Sequence, residues 1–410
     1  MPLPDLSVVV VHHRGEDHLR EALGAIAAAG VGKGPSAETI LVDNTGAADR
    51  GPLEAVLAAH PSVRRIDAGG NAGFARGCRL GVEAAEAPIV AFVNDDAVVS
   101  PDALERLATA LSGAAPDVVA VAGRLVDRTG TRNDFSDGFL TFDGHAFQQD
   151  AGRAVEDVTP AIPGEERLFA CGGLMAVRRG AFLDSGGFDD DYFAYLEDVD
   201  FGWRQWIFGR RILAEPRAVA RHRGGATGEA LGLYARGFLF EKNAFATAYK
   251  NFDEEHFRAL MPAILAAFTG RIAEMLSTRN PGAAELRRDP YAVSAATPAA
   301  SVWRRVLGIS DSFAAAASGA SGSSISIDDP LTVAHLKALL WIHRSQDSLA
   351  AKRAAVQARR KRGDAEIFGK FPLRIVPTYP GDDRFDGAYF RELLGRSPCL
   401  VRSDLAEIFR

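Results

Sequence analysis

Apolar positions in the first half of the chain fall into two alternating spacings. Short β-branched runs are followed by turns and then by stretches whose apolar residues recur at helical intervals. Residues 7–11 form an unbroken run suited to a strand buried on both faces, and residues 17–28 place Leu19, Leu23 and Ile26 on one helical face. Residues 39–42 close a βαβ unit, and 63–66 and 89–93 read as further strands with a helix over 73–85 between them. Pro101 suits the first position of a helix with Ser100 as its N-cap. Later strands are predicted at 174–177 and 211–213, the second after a helix over 197–208. This is an α/β pattern. It changes near Gly228, beyond which helical periodicity dominates: 231–251, 254–277 and one long stretch over 331–362. Residues 314–326, rich in Ala, Ser and Gly, read as a mobile connector, and 371–380, with three prolines, as irregular. Two domains are expected, 1–228 and 229–410.

Composition narrows the class without naming a function. The 410 residues are 24% charged and 47% hydrophobic, which excludes general disorder, collagen and coiled-coil rods. Lys and Arg total 47 against 53 acids, a net charge of −6, so a chain-wide footprint for nucleic acid is excluded and any polyanion site must be local. Three widely spaced cysteines, Cys78, Cys171 and Cys399, fit a reducing compartment and offer no zinc pair. With no basic leader and no apolar run near the ~20 residues of a membrane span, the chain reads as cytoplasmic, with peripheral contact to a membrane as a further expectation.

Polar clusters punctuate this frame, and each has a bland reading beside a chemical one. Asn94-Asp95-Asp96 follows the apolar run 89–93, at the carboxyl end of a buried strand, where open α/β sheets bind ligands. Adjacent carboxylates there suit a hard divalent ion on a diphosphate, or simply an Asp-rich turn. A second cluster holds Asp184, Asp189, Asp190, Asp191, Glu197, Asp198 and Asp200, with aromatic residues interleaved and no Lys or Arg between 180 and 203. Some of these acids can cap the following helix, and one partly buried acid could serve as a base. His222 is a packed histidine or a metal ligand. The glycine-rich turn 70–77, with Asn71 and Gly73, lets backbone approach a ligand at a helix start. Asp43-Asn44 either contacts a base or ribose or makes an Asx turn.

In this order the pieces resemble glycosyltransferase family 2, inverting enzymes of GT-A type fold, in the branch of rhamnosyl- and galactofuranosyltransferase-like members. The resemblance covers about residues 5–228. It rests on Leu6-Ser-Val-Val-Val-Val11, Leu41-Val-Asp-Asn44, Asn71-Ala-Gly-Phe-Ala75, Phe92-Val-Asn-Asp-Asp96, Cys171-Gly-Gly-Leu-Met-Ala-Val-Arg178, Gly186-Gly-Phe-Asp189, Tyr195-Leu-Glu-Asp-Val-Asp200 with Trp203-Arg204, and His222 before Gly224-Gly225. It implies a DxD-like motif in Asn94-Asp95-Asp96, with Asn in the first place, Asp95 in the variable middle and Asp96 as the direct ligand of Mn²⁺ or Mg²⁺. His222 would complete the metal site. Asp198 would be the general base and Glu197 would orient the acceptor. Asp43, Asn71 and Gly73, together with Asn94 and Asp95, would stand near a nucleotide diphosphate sugar, UDP- or dTDP-linked. The acceptor would be a glycan or lipid-linked hydroxyl in cell-envelope polysaccharide synthesis. Two departures touch base recognition: the family's usual Thr-Tyr-Asn after the first strand is here His12-His13-Arg14, and an Asn expected near the glycine turn is Arg79.

Lys352, Arg353, Arg359, Arg360, Lys361 and Arg362 form a basic run without an acid. It reads as a solvated helix end or as contact with an anionic membrane surface. Apolar positions around Leu336, Leu339, Leu340 and Ile342 could mediate self-association. Two rivals fit less well: a sugar nucleotidyltransferase would need a glycine-rich basic loop after the first strand, and a dehydrogenase a G-x-G-x-x-G there. A noncatalytic nucleotide-sugar-binding module of the same fold is the alternative from a different class.

Overall fold

The computed structural model describes residues 5–30, 37–46, 50–159, 161–224, 226–287, 325–395, 399–404 and 408. The strands are β1 (Leu6–His12), β2 (Ala37–Asp43), β3 (Val63–Asp67), β4 (Ile89–Val93), β5 (Ala97–Val99), β6 (Val118–Asp127), β7 (Asn133–Phe135), β8 (Gly138–Leu140), β9 (Ala146–Gln148), β10 (Leu174–Arg178), β11 (Arg211–His222), β12 (Leu373–Ile375) and β13 (Leu400–Arg402). The helices are α1 (Glu16–Gly30), α2 (Arg50–Ala58), α3 (Phe74–Ala84), α4 (Ala103–Ser112), α5 (Arg179–Asp184), α6 (Glu197–Ile207), α7 (Ala226–Asn251), α8 (Glu254–Thr278), α9 (Pro330–Arg344), α10 (Gln346–Ala358), α11 (Asp364–Lys370) and α12 (Ala388–Leu394).

One mixed sheet organises the molecule, in the order β3-β2-β1-β4-β10-β6-β11-β5 with β7 beside β6. Its first four strands are parallel, as βαβ crossovers demand, and all of β4 is buried, as an unbroken apolar run requires. β10 enters antiparallel between β4 and β6. The inserted centre of the sheet is where expectation fell short: β6 was not foreseen, although nearly all of it is buried. Its Gly123 lets it lie against β10, since a Cβ there would stand 2.6 Å from Leu174 Cδ2. β11 is also far longer than 211–213. It runs to His222 past a break in register between Ala214 and Val219, so that histidine ends the strand instead of following it.

Three further expectations shift. α4 starts at Ala103 rather than Pro101, with Asp102 at its cap and Ser100 Oγ donating to Asp102 Oδ1 at 3.2 Å. The stretch 331–362 is two helices, α9 and α10, interrupted at Ser345. Within 371–380 the chain forms β12, paired in parallel with β13. The 314–326 connector falls outside the described residues up to 324.

The apolar core does not stop at residue 228. Trp203 of α6 packs edge-on to Phe252 and Phe368 at ring distances of 4.9 and 5.2 Å, and Trp206 to Phe371 at 5.0 Å. Among the described residues α8 alone has the length and apolarity of a membrane span, yet its Leu260, Ile264 and Phe268 are buried inside the protein.

The basic run meets the acidic cluster. Lys352 pairs with Asp189 and Asp191, and Arg359 with Asp184. Arg353 donates to the carbonyls of Tyr249 and Phe252 at the end of α7, at 2.8 and 2.6 Å, and lies 4.0 Å above the Phe257 ring. Arg360 pairs with Asp364, and Arg362 with Glu366 over the Trp206 ring. These cations are therefore spent on partners within the chain.

Candidate active site

Parallel register brings the first polar residues together. β1 and β2 are aligned so that His12 stands beside Asp43, and the pairing of Val9 with Phe92 carries His12 on toward Asp95. His12 Nδ1 lies 2.7 Å from Asp95 Oδ2. Burial raises the Asp95 carboxyl, and the imidazole draws it partly back. Asp43 is occupied: Oδ1 accepts from Thr45 N at 2.9 Å and from its hydroxyl, and Oδ2 from Arg65 Nε at 3.0 Å. Asn71 Oδ1 accepts from Gly73 N at 3.1 Å, an Asx turn. Gly73, at φ 85°, packs where a Cβ would stand 2.6 Å from both the ring and the carbonyl oxygen of Phe193, so its lack of a side chain serves loop packing.

A second group centres on His222. Its Nε2 lies 3.0 Å from Asp96 Oδ1 and 3.1 Å from the Asn94 amide, while Nδ1 lies 2.6 Å from Asp134 Oδ2. Burial disfavours the imidazolium, but Asp134 and Asp96 outweigh it and pull the ring up to about 10. Burial likewise opposes the charged Asp96 carboxyl, and His222 overrides it, holding the group below the usual carboxylate range. Such a donor set fits a hard divalent cation. Asp134 fixes the ring with Nε2 toward Asp96, the arrangement by which an outer carboxylate orients a ligating histidine, and a cation there would replace the proton now shared with Asp96.

The acidic cluster sorts itself by partner. Asp184 pairs with Arg210 and Arg359, Asp189 with Lys250 and Lys352, Asp190 with Arg79, Asp191 with Lys352, and Asp200 with Arg204 and Lys250. Glu197 and Asp198 have no cationic partner among the described residues. Asp198 accepts instead from Gly172 N at 2.9 Å and Val199 N at 2.8 Å. Burial raises its carboxyl, against those backbone donors. Glu197 is 5% exposed, and its Oε2 has no hydrogen-bond partner. Burial, followed by repulsion from Asp198, pushes it well up. The two carboxyls are therefore unequal: both are raised by burial, and Glu197, which lacks the backbone donors of Asp198, is raised further.

The backbone before this pair is strained. Phe193, Tyr195 and Leu196 have φ of 63°, 70° and 64°, each a left-handed conformation costing about 1–3 kcal/mol for a residue with a side chain. Asn243 of α7 holds the loop there, its Nδ2 donating to the carbonyls of Tyr192, Ala194 and Tyr195 at 3.1, 2.9 and 2.6 Å. The two polar groups meet at the Gly172-Gly173 turn, where Gly172 N reaches Asp198 and Gly173 O accepts from Asn94 N at 3.1 Å.

The model of the family described as "Glycosyl transferase family 2" matches residues 7–184. This segment is similar to that family. Among curated relatives, the low-salt glycan biosynthesis hexosyltransferase Agl10 of Haloferax volcanii is 24% identical over 211 residues, 49% of this chain and 62% of that protein. The N-acetylglucosaminyl-diphospho-decaprenol L-rhamnosyltransferase of Mycobacterium tuberculosis is 45% identical over 58 residues, 14% of this chain and 19% of that protein. The chain thus spans less than two thirds of the length of these relatives. Among solved structures, the mannosyltransferase PcManGT from Pyrobaculum calidifontis, in complex with GDP-Man and Mn²⁺, aligns with a TM-score of 0.43 at 16% identity, covering 87% of each chain.

The chain has the expected α/β architecture, with a parallel Rossmann-like half and a mostly helical part following it. It brings Asn94, Asp96 and His222 together, with Asp95 turned to His12. Three residues escaped sequence reasoning. Asp134 sits on a three-residue strand without a motif, and Asn243 inside an apolar helix; neither gives a local signal. His12 was visible only as a departure from the family pattern. Arg79, the other departure, pairs with Asp190 at 3.0 Å.

Proposed function

We propose that the chain is an inverting glycosyltransferase that moves a sugar from a nucleotide diphosphate sugar, UDP- or dTDP-linked, to a hydroxyl of a glycan or lipid-linked acceptor in cell-envelope polysaccharide synthesis. The observation that carries the reading is the isolation of Glu197 and Asp198, among the described residues, from every cation in an otherwise neutralised acidic cluster. They are joined through the Gly172-Gly173 turn to the Asn94, Asp96 and His222 group. A carboxylate held by two backbone N-H groups in a buried setting is fixed in place and keeps a proton affinity above that of a solvated one, as a general base needs.

Asp198 takes the proton of the acceptor hydroxyl as it attacks the anomeric carbon, and Glu197 orients that hydroxyl. A single displacement inverts the centre. Asp96 and His222 hold the divalent cation, Mn²⁺ or Mg²⁺, which when bound would offset the charge appearing on the leaving diphosphate. Asp134 keeps His222 aimed. Nucleotide and ribose belong at the ends of β1 and β2 and the glycine turn, beside Asp43, Asn71 and Gly73, with Asn94 and Asp95 toward the diphosphate.

Residues 1–228 would form the catalytic domain and 229–410 a helical one. The rhamnosyl- or galactofuranosyl-like branch, a cytoplasmic location with peripheral contact at the inner membrane face, and self-association through exposed Leu339 and Leu340 belong to the same proposal. A thermal-shift screen of nucleotide sugars with and without Mn²⁺ tests the reading, because a ligand that binds only the folded state raises Tm. Cation-dependent stabilisation by one donor, followed by its slow hydrolysis, is expected. No stabilisation by any of them rejects the reading, and binding without turnover leaves the noncatalytic module.

A further inference from the structure

β1 ends on a histidine whose ring is out of reach of any ligand. His12 is fully buried, and its carbonyl accepts from Asn44 N at 2.7 Å. Its Nε2 has no hydrogen-bond partner, the nearest carboxylate being Glu16 Oε1 at 4.0 Å. The one hydrogen bond of this ring among the described residues joins Nδ1 to Asp95 Oδ2 at 2.7 Å. The backbone N-H of His13 donates to the same carboxylate. A ring packed into the core at the end of a strand has little freedom, so it fixes where Asp95 stands.

Asp95 and Asp96 are the two corners of a single turn, closed by Ala97 N donating to Asn94 O at 3.1 Å. Carboxylates on adjacent corners are close enough to repel, and two so placed can grip one hard cation together, as oxygen-rich sites do. Here they part. Asp96 Oδ1 lies 3.0 Å from His222 Nε2, and the residue lines a hollow of about 200 Å³. Asp95 does not line that hollow and meets His12 instead. The seat therefore presents one carboxylate and one imidazole. Mg²⁺ and Ca²⁺ are held by oxygen and gain little from a nitrogen donor, whereas a first-row transition ion such as Mn²⁺ accepts it more readily.

We propose that His12 is a positioning residue that holds Asp95 away from the cation, leaving Asp96 and His222 to meet it and setting a preference for Mn²⁺ over Mg²⁺ and Ca²⁺. The inference rests on the cation seat of the glycosyltransferase reading and deepens it, since that reading fits either Mn²⁺ or Mg²⁺.

Calorimetric titration of the full chain with MnCl₂, MgCl₂ and CaCl₂, without nucleotide, tests it. The unaltered protein should bind Mn²⁺ most tightly. His12→Phe fills the space without a donor and releases Asp95, so Mg²⁺ and Ca²⁺ should bind about tenfold more tightly and Mn²⁺ gain less, as an added carboxylate does in an oxygen site. His12→Asn places an amide N-H near the old Nδ1 and should restore the original order. Adding Asp95→Asn to His12→Phe should abolish the gain, because Asp95 is the group released. A merely structural His12 would lower Tm and leave the ratio of the three affinities unchanged, which overturns the inference. Tightest binding of Ca²⁺ or Mg²⁺ by the unaltered protein overturns it as well. Should His12→Phe fail to fold, Asp95→Asn alone decides: Mn²⁺ affinity within about twofold is expected, and a loss of about tenfold would make Asp95 a ligand already and refute the role of His12. Absence of binding by any of the three ions rejects the Asp96 and His222 seat, and with it the reading beneath the inference, whereas binding with unaltered selectivity in His12→Phe rejects the inference alone.

Discussion

Replacing His145 should flatten the alkaline limb of the stability curve. This residue precedes β9 and is 3% exposed, with Nδ1 3.2 Å from Asp143 Oδ2 and Nε2 3.2 Å from Glu241 Oε1. Arg271 pairs with Asp143 and Asp382 in the same cluster, His335 faces the other oxygen of Glu241 at 3.3 Å, and the Tyr379 ring lies 5.7 Å away. The cluster joins the β8-β9 hairpin to α7, α8 and α9. Burial alone would favour neutral imidazole, but Asp143 and Glu241 outweigh it and pull His145 from its ordinary 6.5 up to about 9. At about 1.4 kcal/mol for each tenfold gain in proton affinity, this attraction contributes on the order of 3 kcal/mol. Glu241, held down at about 2, reflects the same attraction from its other side, so the two are not added. Because the folded value lies above the unfolded one, the contribution is complete below about pH 6.5 and is lost as pH rises through about 9. Urea unfolding from pH 6 to 10 should show the wild type losing about 3 kcal/mol more than His145→Gln across that window. The variant also takes one partner from Asp143 and one from Glu241, so the slope is diagnostic and the absolute stability is not. Parallel slopes for the two proteins would refute the reasoning.

Three further outcomes concern the site. Asp198→Asn keeps shape while removing basicity, so kcat should fall roughly 10²- to 10⁴-fold with donor affinity nearly unchanged; undiminished turnover would remove the base assignment. Asp134→Asn frees the His222 ring and should weaken Mn²⁺ binding about 10- to 100-fold in a calorimetric titration without donor, whereas unaltered affinity would leave Asp134 with no positioning role. Asn243→Ala removes three hydrogen bonds to the strained loop before Glu197. It should cost about 1–3 kcal/mol in urea and lower kcat more than it raises KM; full stability loss with kcat intact would make Asn243 merely structural.

What the chain disclosed in advance were signals written among neighbours in sequence. β1 and β4 were legible because strands buried on both faces are apolar throughout, and Asn94-Asp95-Asp96 stood out because it interrupts that run at its carboxyl end. β6 was not, since its apolar run says nothing of a place between β10 and β11, and an apolar run alone can be buried helix or strand. Asp134 acquires meaning only when sheet order lays it against His222, 88 residues away.

The acidic cluster shows the same limit most sharply. As sequence, seven carboxylates between 184 and 200 are equivalent candidates for capping, pairing or catalysis. What separates them is the position of cations far along the chain: Lys250 and Lys352 on Asp189, Arg79 on Asp190, Arg359 on Asp184. Two cations of a basic run that reads as solvated or membrane-facing by itself, Lys352 and Arg359, become counter-charges of this cluster once α10 lies against it. Folding thus neutralises the acids that hold the two halves together and leaves Glu197 and Asp198 without a cation among the described residues, in a buried site where an unpaired charge is costly unless backbone donors hold it. Asp198 has such donors, and the Glu197 Oε2 has none. The proposed choice of Asp198 as base therefore rests on where the arginines and lysines went, which only the tertiary fold decides.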